Sequence, residues 1–295
     1  MTGSLTRDGL NAVADSYVAA MVAHDAKAAP LAPDAVVVEN LARIQPTEGL
    51  WKAASAGPTT FQIHVPDVAA QQVGYMAVME ADGRPVQIGL RLKLENGLIA
   101  EAEQIVVYEL RDIGVPNLKT PRAAFSQPVI EAYRDARPRM LQIAGQYYDA
   151  LELNNGRLVS FGDDCVRHEN GIQTCRNSVP DDWTAATFGV FGSLSAPAQL
   201  DSQVFSYITR IDHRRVFAAD EECGLAVGFS HFRHDMATKQ IRVFGVPGVE
   251  TWTLDFAPFD LPAMHIYKIW GGELHEIEAL GYIAPYRSSA YWEEG

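Results

Sequence analysis

The stretch Tyr17–Asn40, YVAAMVAHDAKAAPLAPDAVVVEN, recurs without a gap at Tyr147–Asn170, YYDALELNNGRLVSFGDDCVRHEN. The two copies share a tyrosine at their first position and the pair Glu-Asn at their last. A second ungapped match relates Leu92–Glu103 to Tyr267–Glu278. Two matches in the same order indicate duplication of one domain of ordinary size. The second pair lies further apart than the first, which predicts additional loops in the second copy.

The composition is that of a globular protein, long enough for two buried cores. Its formal net charge of −13 argues against nucleic acid or an anionic membrane as partner, because neutralising phosphates requires clustered lysine and arginine. No apolar run approaches the roughly 20 residues of a membrane span, and the N-terminal residues lack a signal-peptide core. We therefore expect a cytoplasmic protein that binds neither nucleic acid nor membrane.

The three cysteines, Cys165, Cys175 and Cys223, leave at least one thiol unpaired, and none has the spacing of a metal site. We expect reduced thiols, and a Cys165–Cys175 bridge stays open as an alternative that a reducing cytosol disfavours. The pair His231 and His234 would lie on opposite faces of a strand, so no metal site is predicted. The chain has no glycine-rich nucleotide motif, and no cofactor is expected.

The first copy opens with an amphipathic helix over Leu5–Ala23, because its apolar residues recur at helical spacing. A short strand, Ala35–Glu39, and a second helix follow. The apolar period then changes to two, which predicts a meander joined by tight turns. Its four predicted strands are Phe61–Val65, Val73–Glu80, Val86–Leu94 and Leu98–Tyr108. Helices followed by a meander indicate an α+β fold.

The domain boundaries follow from where these patterns stop and restart. Residues 1–115 form the first predicted domain, and residues 116–138, interrupted by several prolines, form a linker or crossing arm. Residues 139–295 form the second predicted domain, which restarts with a helix at Met140–Leu153. Its additional loops include an irregular segment over Gly171–Gln199.

This order of elements resembles the cone-shaped fold of nuclear transport factor 2, ketosteroid isomerase and the SnoaL-type polyketide cyclases. Tyr17–Ala20 and Pro33–Glu39 are similar to the opening of ketosteroid isomerases, and Arg210–Arg215 with Val227–His231 resembles a group of tandem proteins of this fold, many of them fungal. The resemblance implies two cone-shaped domains, each a curved antiparallel sheet wrapped around N-terminal helices. Because the fold hosts many reactions, it specifies architecture better than activity.

Carried over by position, the resemblance implies candidate catalytic residues in both copies. Glu39 stands where ketosteroid isomerases keep their carboxylate base, and Glu169 is its repeat counterpart. Tyr17 matches the tyrosine that donates to the enolate oxygen, and Tyr147 is its counterpart. The chain has no convincing equivalent of the protonated aspartate of those enzymes, so steroid isomerisation is not expected.

The second copy is better supplied with chemistry-bearing side chains. Besides Glu169 and Tyr147, the candidates are Arg167, Asp212, His213 and His231. Strand alternation places His231 on an apolar face that we expect to line the cavity, and it places Asp212 and His213 on opposite faces. Each candidate also has a structural interpretation: a hydrogen-bonded core histidine, a carboxylate paired with arginine, or a core aromatic ring.

The resulting hypothesis is a cofactor-independent lyase, dehydratase or isomerase acting on a small, apolar, oxygenated molecule of aromatic or polyketide type. A base drawn from His213, His231 or Glu169 removes a proton, and Tyr147 or Arg167 stabilises the oxyanion. The alternative is a non-catalytic protein that binds a hydrophobic ligand. Cones of this type commonly pair sheet to sheet, which predicts either a homo-oligomer or a pseudo-dimer within one chain.

Overall fold

The computed structural model describes residues 4–177 and 189–291. The predicted loop Gly171–Gln199 lies outside the described residues over its central part, 178–188. The described residues form two similar domains, each built on a curled seven-stranded sheet. The predicted α+β class with two cone-like domains is confirmed.

The first domain begins with helix α1, whose N-terminus is capped by the Thr6 side chain accepting a hydrogen bond from the Gly9 amide. Its buried face includes Leu10, Tyr17 and Met21, which recur at helical spacing as the sequence predicts. The described elements of this domain are α1 (Arg7–Val22), β1 (Leu31–Glu39), β2 (Ala42–Ile44), α2 (Leu50–Ala53), β3 (Ala54–Ala56), β4 (Gln62–Asp67), β5 (Gln72–Ala81), β6 (Arg84–Glu95) and β7 (Leu98–Val107).

The second domain repeats this order, with an additional small hairpin formed by β12 and β13. Helix α3 and strand β8 occupy the same places in the repeat as α1 and β1, so the repeat seen in the sequence is also structural. The described elements of this domain are α3 (Arg137–Glu152), β8 (Phe161–Glu169), β9 (Ile172–Cys175), α4 (Ala196–Asp201), β10 (Arg210–Asp220), β11 (Leu225–His234), β12 (Gln240–Arg242), β13 (Thr251–Thr253), β14 (Phe259–Trp270), β15 (Glu273–Gly281) and β16 (Ala284–Pro285).

The two sheets share the strand orders β2-β1-β7-β6-β5 and β9-β8-β15-β14-β11, and β10 pairs with β11 as the final strand of the second sheet, whereas β3 pairs with β5 in the first. Strand β4 also pairs with β5, and β16 pairs with β14. Each sheet departs from the predicted antiparallel arrangement at one pair, because β1 runs parallel to β7 and β8 runs parallel to β15. The last strand of each meander lies beside the first strand of its domain and runs in the same direction. Parallel neighbours need a long connection, and the intervening elements supply it.

The outer faces of the two sheets pack against each other through a shared apolar core. Two glycines of the first sheet permit this close approach. A Cβ atom on Gly74 would lie 2.5 Å from Val227 Cγ1, and one on Gly89 would lie 2.5 Å from Met264 Sδ. Side chains at these positions would therefore push the two sheets apart.

Reciprocal ion pairs fasten the two domains at the starts of their first helices. Arg7 of α1 lies 2.7 Å from Asp220 at the end of β10. Arg137, the repeat counterpart of Arg7, lies 2.7 Å from Asp67 at the end of β4. Such reciprocity is the pattern of an isologous interface, here made within one chain.

The segment between β7 and α3 contacts the second domain at several points, among them an ion-paired arginine. Arg122 is ion-paired with Glu276 and, at 2.7 Å, with the buried Glu278. Burial raises the pKa of Glu278 to about 7, although the nearby Arg122 opposes the shift. The three cysteines are buried and unbridged.

Among residues 4–177 and 189–291, no helix combines the length and apolarity that a membrane crossing demands.

Candidate active site

A cavity of about 150 Å³ lies inside the second domain, and we call it the second-domain cavity. Helix α3, strands β8, β11, β14 and β15, and the segment before β10 supply its walls. Many of its lining residues carry rings or hydrogen-bonding groups, among them Tyr147, Glu169, Tyr207, His234 and His265. It combines an apolar wall with a few convergent polar groups, as ligand sites commonly do.

Two of the predicted site residues, Tyr147 and Glu169, line this cavity, and a third, Arg167, contacts both of them from behind. Alternation along β8 directs Arg167 and Glu169 to the same side of the sheet, facing Tyr147 on α3. Arg167 Nη1 donates to the Tyr147 hydroxyl at 3.3 Å, and Arg167 Nε lies 2.6 Å from Glu169 Oε1. Tyr147 and Arg167 are buried, whereas the Glu169 side chain is 43% exposed. The three side chains therefore lead from the protein interior towards solvent.

Arg167 is the fixed centre of this group. Its Nε donates to Thr174 Oγ1 at 2.9 Å and its Nη2 donates to Gln199 Oε1 at 2.8 Å. Its guanidinium also lies 5.2 Å from the centre of the Phe205 ring. Burial alone would lower the pKa of Arg167, but Tyr147 and Glu169 outweigh it and hold that pKa above its usual value. Arg167 is therefore a permanent cation.

The Tyr147 hydroxyl is suited to donate a hydrogen bond to a ligand in the cavity. Burial raises its pKa above the usual value, although Arg167 opposes the shift. The phenol is therefore neutral at physiological pH. Because its oxygen accepts from Arg167, the O–H bond is polarised and its hydrogen can serve an oxygen placed in the cavity.

His265 was not among the predicted site residues, yet it is buried at the cavity wall. Its ring centre lies 5.9 Å from that of Tyr147, 5.5 Å from Tyr148 and 5.9 Å from Tyr267. Burial, followed by the positive charge of Arg167, lowers its pKa to about 3. Strand alternation could have placed His265 and Tyr267 on one face, but nothing in the sequence marks that face as the inner one.

His234 is the second imidazole at the cavity that the site predictions omitted. Its ring stacks on Phe259 with centres 4.1 Å apart and on Tyr207 with centres 5.4 Å apart. Burial lowers its pKa to about 4. His234 is therefore a neutral, ring-stacked wall of the cavity.

Because the pKa of His234 is lowered, we expect this residue to reduce the unfolding free energy of the protein as the pH falls. An unfolded histidine titrates near 6.5, so the stability contribution is complete above that pH and is lost as the pH falls towards about 4. We expect wild type to lose about 2 kcal/mol more unfolding free energy than His234→Phe between pH 7 and pH 5. Denaturant titrations at both pH values measure this difference, and equal losses in the two proteins would contradict it.

The repeat counterparts in the first domain are engaged in a structural network. Trp51 Nε1 donates to the Tyr17 hydroxyl at 3.1 Å, and that hydroxyl donates to Gln104 Oε1 at 3.1 Å. Gln104 Nε2 in turn donates to Glu39 Oε2 at 2.6 Å. Trp51 and Tyr17 are almost completely buried, and both belong to the apolar core of the first domain.

Glu39 accepts two more hydrogen bonds, from the Leu50 amide at 2.8 Å and from the Tyr108 hydroxyl at 2.7 Å. The position equivalent to Arg167 is Val37, which is buried in the apolar core. The first domain therefore has the carboxylate and the tyrosine but no arginine at this position. Neither Glu39 nor Tyr17 lines the second-domain cavity.

His213 and His231 lie elsewhere, at a cleft of about 30 Å³ between the domains, which we call the interdomain cleft. Alternation does place His231 with Phe229, but that face of β11 meets the first domain instead of the cavity. His231 Nε2 lies 3.3 Å from Arg233 Nη1 and 3.5 Å from Asp260 Oδ2. The structure thus separates both histidines from Glu169 and Tyr147.

Asp212 and His213 sit at an irregularity of β10. The register with β11 shifts after Asp212, and His213 has a left-handed backbone with φ of 49°. Asp212 is ion-paired at 2.6 Å with Arg210 and at 3.0 Å with Arg233. These arginines lower the Asp212 pKa, although burial opposes them. Asp212 therefore serves an ion-pair network outside the second-domain cavity.

The part of the chain that the structure describes contains no group of three or more histidine, cysteine, aspartate or glutamate side chains placed to hold a metal ion. That the protein uses no metal or cofactor stays a prediction.

A family model described as a domain of unknown function (DUF8021) matches residues 3–106 and 133–281. Solved structures with similarity include a candidate polyketide cyclase from Sinorhizobium meliloti, which is 27% identical over 34% of this chain and 99% of its own, with a TM-score of 0.26. A candidate isomerase from Bacillus subtilis is 13% identical over 35% of this chain and 90% of its own, with a TM-score of 0.28.

A candidate hydroxylase from Streptomyces galilaeus is 6% identical over 51% of this chain and 83% of its own, with a TM-score of 0.30. No curated protein matches the chain significantly.

Proposed function

This chain belongs to the DUF8021 family, and we propose that its second domain is a cofactor-independent enzyme acting by proton transfer. The substrate is a small, largely apolar, oxygenated molecule of aromatic or polyketide type, and the reaction class is lyase, dehydratase or isomerase. We extend the proposal to the fold family: both domains are SnoaL-like cones. Their shared strand order and opening helix support this assignment.

One observation carries the proposal. A carboxylate, an arginine-polarised phenol and a neutral imidazole converge on one cavity, in the side chains of Glu169, Tyr147 and His265. A base and an oxyanion donor beside one hollow are the two groups that proton abstraction next to a carbonyl requires. In the first domain the corresponding carboxylate and phenol are engaged with protein partners.

The reaction would begin when the Glu169 carboxylate takes a proton from a carbon next to the substrate carbonyl. The electron pair of that C–H bond forms a C=C bond, and the carbonyl π electrons move to the oxygen. Tyr147 donates its hydrogen bond to this enolate oxygen, and the adjacent Arg167 charge stabilises it further.

Two outcomes follow from the same enolate. In an isomerisation of a β,γ-unsaturated carbonyl compound the enolate is a dienolate, and Glu169 returns the proton to the γ-carbon while the C=C bond moves to the α,β position. In a dehydration, the enolate re-forms the carbonyl and expels a β-hydroxyl group, which leaves as water with the proton held by Glu169. Both outcomes restore the starting protonation state and need no oxidant or reductant.

The experiment that tests the function is a screen of small oxygenated molecules by thermal shift, followed by product detection for every ligand found. A ligand that binds the folded state raises the melting temperature by mass action. A ligand that is also converted establishes catalysis. Ligands that bind and are returned unchanged would instead favour the alternative, a non-catalytic binding protein.

Substitution of the phenol provides a matched comparison between the two domains. We expect Tyr147→Phe to lower turnover of a converted substrate by about 100- to 1,000-fold, because the enolate loses one oxyanion donor. Tyr17→Phe removes the equivalent hydroxyl in the first domain and should leave turnover unchanged. Initial rates of the two variants measure the difference, and equal effects would rule out the assignment to the second domain.

Other expectations also stand as proposals. We place the first domain at residues 1–115, the connecting arm at 116–138 and the second domain at 139–295. The unbridged cysteines support a reducing, cytoplasmic location. The reciprocal ion pairs Arg7–Asp220 and Arg137–Asp67 support a pseudo-dimer within one chain.

A further inference from the structure

We propose that His265 selects the ligand of the second-domain cavity, and that this ligand is an uncharged molecule of one ring bearing a hydroxyl or carbonyl oxygen. This proposal rests on the proposed function for the place of binding and goes beyond it in the class of ligand. Size, charge and hydrogen bonding each limit what the cavity can hold.

The size of the cavity limits the ligand to one ring. Its volume is about 150 Å³, and an engineered apolar cavity of about that volume binds benzene. The rings of Tyr147, Tyr207, Phe232 and His234 contribute to its walls. Aromatic walls favour a planar ring that can stack against them or meet them edge to face.

The charges around the cavity balance. Glu169 is the only formally charged side chain among its described lining residues, and Arg167 lies 2.6 Å from it. The two imidazoles are neutral because burial lowers their pKa values to about 3 for His265 and about 4 for His234. An ionised ligand would lose its hydration on entering the cavity and would find no unpaired opposite charge there. Its binding is therefore unfavourable.

The hydrogen-bonding requirement comes from His265. This side chain is only 5% exposed, and its Nδ1 atom has no hydrogen-bond partner among residues 4–177 and 189–291. Buried polar atoms are nearly always bonded. His265 lines the cavity, but its Nδ1 atom is shielded by neighbouring atoms, so the ring must turn before an oxygen of a bound ligand supplies the partner.

The titratable groups around His265 include one cation, Arg167, that favours the neutral ring. They come from helix α3 and strands β8, β11 and β14, and they are Tyr147, Tyr148, Arg167, Glu169, His234 and Tyr267. Arg167 further disfavours a proton on the ring. A neutral imidazole offers one N–H donor and one acceptor, so it can bind either a hydroxyl or a carbonyl oxygen.

The test measures binding of phenol, toluene and benzoate to the full chain by titration calorimetry or ligand-observed NMR. These probes share one ring and differ in hydrogen bonding and charge. We expect phenol to bind about tenfold more tightly than toluene, as one buried hydrogen bond allows, and benzoate to bind most weakly. Benzoate binding as tight as phenol, or no binding of phenol and toluene, overturns the proposal.

A substitution then assigns the selectivity to one residue. His265→Phe should lower phenol affinity about tenfold and leave toluene affinity within about twofold. The matched control is His275→Phe, since His275 is also buried but stacks on Trp270 and pairs with Asp164. Unchanged phenol affinity in His265→Phe, or an equal loss in His275→Phe, overturns the assignment.

A measurement on the wild-type protein covers the case in which His265→Phe does not fold. Phenol affinity should be constant between pH 5 and pH 8, because His265 stays neutral there. A titration of affinity with a midpoint near 6.5, the usual histidine value, overturns the proposal.

Binding and turnover separate this inference from the proposed function. Selective phenol binding in a protein that converts no ligand would refute the enzyme and keep the inference. Turnover of a substrate without preference for phenol over toluene would keep the enzyme and refute the inference.

Discussion

Glu169→Gln should lower turnover about a thousandfold while the protein stays folded and still binds its ligand. The magnitude is that of losing a positioned general base. The substitution keeps the shape of the side chain, and the amide oxygen can still accept from Arg167, which lies 2.6 Å from Oε1. What it removes is the capacity to take a proton from carbon. Single-turnover rates and ligand titrations of the variant measure the two effects separately.

The same substitution at the repeat-related position supplies the control. Glu39 is almost completely buried and accepts from the Leu50 amide, Gln104 and Tyr108. Glu39→Gln places an amide N–H donor against groups that themselves donate, so we expect a loss of about 1–3 kcal/mol in unfolding free energy. Turnover should not change.

The two variants therefore have opposite expected phenotypes: Glu169→Gln loses activity and keeps stability, whereas Glu39→Gln keeps activity and loses stability. Near-normal turnover in Glu169→Gln would remove the carboxylate from the mechanism. Loss of turnover in a folded Glu39→Gln protein would move the active site to the first domain.

Arg167→Met should give the largest loss of stability among the substitutions proposed, about 3–5 kcal/mol. Arg167 is 1% exposed and bonds Thr174, Gln199 and Tyr147. Methionine fills much of the volume but leaves these polar groups without their cationic partner. A chain of this size should lose about 6–20 °C in melting temperature, which differential scanning calorimetry measures.

Arg214→Met is the control for removal of an arginine. Arg214 pairs with Asp149 and Glu152 near the surface, where ion pairs contribute about 0–1 kcal/mol. Its melting temperature should therefore fall by no more than about 4 °C. A comparable loss in the two variants would show that Arg167 is an ordinary ion-pair partner and not the fixed centre of the site.

Much of the fold could be predicted from the sequence because its signals are local. The helical stripe over Leu5–Ala23 became α1, and the four predicted meander strands became β4 to β7. The repeat likewise marked Glu169 and Tyr147 as counterparts of Glu39 and Tyr17. Both members of the second pair line one cavity, and their catalytic roles stay a prediction.

The position of the histidines could not be predicted in this way. Along β11 nearly every residue is buried, because one face of the strand covers the second-domain cavity and the other packs on the first domain. Alternation then groups residues into two faces without indicating which is inner. His231 was expected at the cavity and lies at the interdomain cleft, whereas His234, three residues later, lies at the cavity.

The sequence by itself determined the duplicated α+β architecture, since periodicity and repetition depend only on the order of residues. Only the tertiary structure decided which side chains line the second-domain cavity. In the first domain Trp51 and Tyr17 are buried in the same apolar core as Val37, whereas in the second Arg167 replaces that valine and contacts Tyr147 and Glu169 at the cavity. Space left between side chains is a property of their packing in three dimensions, and no pattern along the chain encodes it directly.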